Sequence, residues 1–234
     1  MLDSIREAAD RMEARIRRQE VFANNVANIS TSGYKRDQLF QKVMTDFSEG
    51  PSYDLWEVPD FSQGALRETG DPFNFAITGD GFFVIEQDDG TYYTRNGNFI
   101  LSSDGELVLD GAGKVMGENG PIEIKGSPIV NENGEIYVNG ALVDKLKIVD
   151  FENKDEVFLK KGRSLFELAD ESAEETEEVQ CRIDQGFVEE SNVKAVEEMV
   201  NMLSVMRYFE ATQKVMQTFD SVLDKAANQV GRIA

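Results

Sequence analysis

The chain has 234 residues, 41% of them hydrophobic, with 24 basic and 44 acidic side chains and a formal net charge of -20. That length buries one substantial core or two modest ones, and so large an excess of acid argues against a nucleic-acid partner, whose binding rests on a basic patch. With no histidine and a single cysteine, Cys181, the chain forms no intrachain disulfide and lacks the ligands of the common zinc sites.

The N-terminal stretch MLDSIREAADRMEARIRRQE lacks the apolar core of a secretory signal. No run approaches the roughly 20 apolar residues of a membrane span. Residues 1 to 36 carry seven Lys/Arg against five Asp/Glu, which leaves 17 against 39 for the remainder. Ile5, Ala9, Met12, Ile16, Gln19, Ala23 and Val26 follow alternating steps of four and three, the spacing of a coiled-coil seam with one polar member. A helix over roughly residues 3 to 29 would run about 40 Å at ~1.5 Å per residue.

Asn24, Asn25 and Asn28 interrupt the end of that helix. Asparagine competes with the backbone for hydrogen bonds, so it suits a fraying helix end; buried between packed helices it can also fix register. Gly33 is placed to close the helix as a C-terminal cap.

All five prolines, and every glycine except Gly231, fall between Gly33 and Gly186. Residues 34 to 60 show neither helical nor strand period consistently and read as an irregular or extended connector. From roughly residue 61 to 188 the period changes to two, with turns expected at Asp89-Gly90, Asn96-Gly97, Asp104-Gly105, Asp110-Gly111, Asn133-Gly134 and Asn139-Gly140. The acidic run ELADESAEETEE, Glu167 to Glu178, reads as a solvated loop.

After Gly186 a second long helix is expected, with Ser191 and Asn192 as its caps. Met199, Met202, Met206, Phe209, Met216 and Leu223 lie on one stripe of it, and Val215, Phe219, Val222 and Ala226 on a neighbouring one. The fold class expected is α+β: long N- and C-terminal helices (1–33 and 189–234) forming a coiled-coil-like layer, a connector (34–60) and a mostly antiparallel β domain (61–188).

Catalytic chemistry is not spelled out. No histidine can act as a base, and no serine or cysteine nucleophile sits in a recognisable turn. DGAGKV around Lys114 fails as a phosphate loop, since Val108 and Val115 replace the glycine and the Ser/Thr it needs. The Asp-Gly pairs lack the spacing of a calcium loop. No cofactor and no metal are expected.

NNVANISTSGYK (24–35) resembles the N-terminal signature of bacterial flagellar rod and hook proteins, NNxAN followed by T-x-G-[FY]-K. The resemblance continues through QGALRETGDPFNFAITGDGFFVI, YTRNGNFILSSDGELVL, GPIEI, GFVEESNVKAVEEMVNML and RYFEATQKVMQTFD, departing at Asn74 and Val188. The short body is more similar to proximal-rod than to distal-rod members.

This resemblance implies a structural subunit of the flagellar drive shaft. Its partners would be other rod subunits, copies of itself and the flagellar type III export apparatus, with no nucleic acid and no membrane span. It would lie in the periplasmic part of the basal body, exported without a cleaved signal. An assembly interface is then expected at Ile5, Ala9, Met12, Ile16, Ala23, Asn24, Asn25, Val26, Asn28, Met199, Met202, Met206, Phe209, Met216 and Leu223. Two other readings compete: an enzyme on a β scaffold, and a soluble coiled-coil adaptor with a β binding head.

Overall fold

A computed structural model describes residues 2–46, 50–170, 173, 175–176 and 179–230; the side chains at 2–11, 41–46, 50–55, 219–220 and 223–230 lie outside the description. The described residues form three helices, α1 (Leu2–Ala27), α2 (Lys154–Val157) and α3 (Ala195–Val230), and eighteen strands. Contacts group residues 1–26, 39–57 and 194–234 into one unit, and 27–38 with 58–193 into a second, the β body.

More of the described residues lie in strands than in helices, so the protein is mostly β, and no coiled-coil layer is formed among the described residues. This corrects the expected α+β class. The 3/4 spacing identified apolar stripes on two helices, but a stripe does not supply the helix that covers it. Ile16, Met199, Met206 and Met216, on the expected seams, are 47, 50, 45 and 43% exposed. The buried positions are instead Ala14, Val21 and Asn25 of α1 and Glu198 and Val205 of α3. Where the two helices meet, the Arg15 guanidinium lies 4.4 Å from the centre of the Tyr208 ring, a cation over an aromatic face and not an interlocked seam.

The connector also contributes strand. Asp37–Asp46 and Gly50–Pro59 pair as a two-stranded sheet, within which Phe40 and Trp56 stack at 6.3 Å. Its apolar residues come as adjacent pairs, Leu39-Phe40, Val43-Met44 and Leu55-Trp56, which hides the alternation a strand normally displays.

In the β body the central strand Phe82–Gln87 is paired on both sides, with Gly90–Thr94 and with Gly113–Gly117. Because alternate residues face opposite ways, this strand feeds two cores. Phe83 and Ile85 join Phe75, Phe99, Leu107 and Val115 in one. Phe82 and Val84 join Tyr93, Phe151, Phe158 and Phe166 in the other. In that second core Phe158 lies 4.9 to 5.7 Å from the rings of Phe61, Phe82, Tyr93, Phe151 and Phe166. Such ring clusters add to the gain from buried area.

Five of the six expected turns join antiparallel neighbours. Asn139, at φ 52°, and Gly140, at φ 82°, supply the two positive φ angles of the tightest hairpin. Asn96-Gly97 does not: the strands on either side of it pair elsewhere. The acidic run is only partly a loop, since Glu167 and Leu168 lie in the strand Leu165–Leu168 and Thr176 bridges to Asp150.

Candidate functional site

The segment after α1 does not continue the helix. Thr31 donates its N–H to the Asn28 carbonyl at 3.0 Å and Tyr34 donates to the Thr31 carbonyl at 3.3 Å, winding the chain into successive turns. Gly33, at φ +66°, is therefore no cap of a helix that already ended at Ala27. Its function is close approach. A Cβ there would lie 2.2 Å from the Asn96 nitrogen, and the Gly33 N–H donates to the Glu189 carbonyl at 2.8 Å.

That approach delivers Lys35 into the body, where it is fully buried. Its Nζ donates to Glu189 Oε1 at 2.6 Å and to the Ser62 carbonyl at 2.8 Å. Glu189 Oε1 also accepts the Gly64 N–H at 2.9 Å. A third buried charge stands nearby: Arg95 Nη1 is 3.7 Å from Glu189 Oε2, while Arg95 Nη2 donates to the Gly79 carbonyl at 2.7 Å. Burial lowers the pKa of Lys35, and the Glu189 carboxylate pulls it partly back; burial likewise lowers that of Arg95.

Around this ion group the backbone is tied in several places. Asn192 accepts the Arg36 N–H at 2.7 Å and donates to the carbonyls of Asp60 and Ser62 at 2.7 and 3.1 Å. It therefore does not cap α3, which starts at Ala195, and Ser191 accepts the Val193 N–H instead. Lys160 donates to Asp37 at 2.7 Å and to the Lys35 carbonyl at 2.9 Å, with its ammonium 3.7 Å from the centre of the buried Tyr34 ring. Residues 33–38, 60–64 and 189–192 thus form one clasp, which joins segments from both ends of the chain to the β body.

Sequence reasoning missed Lys35, Arg95 and Glu189 as a group, since a lysine in a polar motif reads as a surface charge. The residues it did select are dispersed. Met12, Val26, Met202 and Phe209 are half-buried; Ile16, Ala23, Asn24, Met199, Met206 and Met216 are exposed; Asn25 and Asn28 are buried. The side chains of Ile5, Ala9 and Leu223 lie outside the described residues. Cys181 is a half-buried free thiol whose pKa burial pushes up. No cluster of three or more metal-ligating side chains occurs among the described residues.

A clasp that ties backbone together, and, in the other unit, long helices with apolar side chains exposed, are the features of a structural protein. Three family models match it: the flagella basal body rod protein over residues 5–35, the flagellar hook protein FlgE/F/G D1 domain over 76–138, and the flagellar basal body rod FlgEFG protein C-terminal over 184–230. Lys35, Arg95 and Glu189 come one from each stretch. The chain is 34% identical to the flagellar basal-body rod protein FlgF of Mesorhizobium japonicum over 99% of both chains. It is 32% identical to the FlgF of Salmonella typhimurium (88% of this chain, 89% of the relative) and 32% identical to the FlgG of Agrobacterium fabrum (92% and 94%). The chain belongs to the flagellar basal-body rod protein family.

Proposed function

We propose that the chain is a structural subunit of the flagellar rod, held in the assembly by the apolar faces of its long helices against neighbouring subunits. One observation carries this reading. Val196, Met199, Val200, Leu203, Met206 and Met216 of α3 are 43 to 76% exposed, an apolar surface far longer than a solitary soluble chain has reason to keep. Met12, Ile16, Ala23 and Val26 of α1 and Met202 and Phe209 of α3 complete that surface. Asn24, exposed near the end of α1, lies on the same stretch. Asn28, whose carbonyl and side-chain oxygen both accept from Thr31, also shapes the helix end.

The neighbours are other rod subunits and further copies, and the route to the periplasmic part of the basal body is the flagellar type III export apparatus. No helix among the described residues is long and apolar enough to cross a membrane. The resemblance to FlgF-named relatives over nearly the whole length favours the proximal rod over the distal.

Met206→Asp tests the interface. Met206 is 45% exposed, so a carboxylate there is solvated in the free chain and unfavourable only once covered. The expected outcome is loss of motility and of rod incorporation with unchanged thermal unfolding of the β body. Normal motility in this variant overturns the assignment.

A further inference from the structure

The clasp holds one more cation than its carboxylate needs. Glu189, 1% exposed, uses Oε1 for Lys35 and the Gly64 N–H, and Oε2 has no hydrogen-bond partner. Arg95, 3% exposed, has no partner for Nε or Nη1. A buried guanidinium with two donors outside any hydrogen bond is unfavourable, because those groups have given up water and gain only a place 5.3 Å from the centre of the Phe82 ring and a long ion pair. Yet Nη1 stops at 3.7 Å from Oε2, beyond hydrogen-bonding range.

The two cations differ in how they are attached. Arg95 follows the strand Gly90–Thr94, inside the sheet, and Glu189 ends the strand Phe187–Glu189. Lys35 sits on the strap 31–37, which belongs to no sheet up to Arg36 and is held by the bonds of Gly33 to the Glu189 carbonyl and of Arg36 to Asp60 and Asn192. Were Lys35 the only cation within reach, lifting the strap would strand a buried carboxylate, a penalty of the kind that makes a contact permanent. With Arg95 beside it, the carboxylate needs only to close a gap of about one ångström.

We propose that Glu189 is a two-position carboxylate, paired with Lys35 when the strap is docked and with Arg95 when it is lifted. The strap can then leave and return while the β body stays folded. Arg95 acts as a positioning residue for the undocked state, which is why its donors are idle in the docked one. The body folds without waiting for the N-terminal segment.

Amide hydrogen exchange of the full chain distinguishes this from a static salt-bridge cluster, since it reads strap opening and body opening separately. The strap reporters are the N–H groups of Gly33 and Arg36, bonded to the Glu189 carbonyl and to Asn192; the body reporters are those of Phe82–Gln87. In Lys35→Met, strap protection is expected to fall at least about tenfold while body protection is held within about threefold. Arg95→Met is expected to raise strap protection, because the lifted state has lost its counter-ion. In the double variant body protection collapses by more than the product of the single effects, and that excess disappears when Glu189 is also changed to Gln. Lowered strap protection in Arg95→Met, or failure of that variant to fold while Lys35 is present, overturns the proposal. So does a double variant whose effect is the simple product of the two.

Discussion

Lys35 and Glu189 are 154 positions apart in sequence and their side chains meet at 2.6 Å, with neither exposed by more than 1%. Removing the carboxylate leaves the buried Lys35 ammonium and the Gly64 N–H without this acceptor, and the buried Arg95 without its nearest counter-charge. Glu189→Ala is therefore expected to destabilise the β body by roughly 3–5 kcal/mol, the cost of breaking a buried pair from one side. A urea titration followed by far-ultraviolet circular dichroism measures it, and a loss below about 1 kcal/mol, the range of an exposed pair, would contradict the burial.

Gly33→Ala adds a methyl group where the Asn96 nitrogen is 2.2 Å away, at a φ of +66° that side chains rarely adopt. The strain alone is about 1 kcal/mol, and the clash prevents the strap from seating. Limited proteolysis is expected to cut this variant between residues 30 and 38 well before the wild type, with the body fragment persisting.

Asn192→Ala removes four hydrogen bonds that tie Arg36, Asp60 and Ser62 together. Losses of about 1–3 kcal/mol are expected from the polar groups left without partners. Asn192→Ser, too short to span both sides, should recover little of that stability; full recovery would show that solvent replaces the bonds at no penalty.

Asp60 gives the clasp an acid limit. Burial pushes its pKa up, but hydrogen bonds from Ser62 and Gln38 more than offset this and hold it below the ordinary value of 3.8. A carboxyl depressed in the folded state contributes stability that is fully present above 3.8 and is lost as pH falls through the lower folded value. Asp60→Asn cannot ionise, so its stability deficit relative to wild type should shrink between neutral pH and about pH 2. A constant deficit over that range would remove Asp60 from the acid response.

Phe158→Ala opens a cavity amid five aromatic neighbours, for an expected loss of about 3–5 kcal/mol. Thermal unfolding of the body is the measurement. Because Lys160 follows two residues later on the same strand, the strap should also loosen, visible as faster exchange at Gly33.

The β body was largely legible because its turns are chemical. Asn139-Gly140 is the dipeptide that a two-residue hairpin demands, while Asp89-Gly90 marks a turn whose loop residues are Asp88 and Asp89, with Gly90 the first paired residue after it. Asn96-Gly97 carries the same signal for another reason: a Cβ at Gly97 would lie 1.6 Å from the Phe75 carbonyl oxygen, so the glycine answers a tertiary approach that local sequence does not encode. The helices were legible in length but not in what covers them, since Met206 and Val205 are adjacent apolar residues, one exposed and one buried. Of the clasp, both halves lay in recognisable stretches, TSGYK and GFVEESN. Only the fold pairs Lys35 of the first with Glu189 of the second.

The chain passes between its two units four times, near residues 26, 38, 57 and 193. On the body side three of these crossings, those near 38, 57 and 193, enter a single cross-tied patch: Arg36 bonds to both Asp60 and Asn192, and Gln38 to Asp60. Tension arriving along one strand is therefore divided among its neighbours before it reaches the sheet, much as a gland protects the cable it grips.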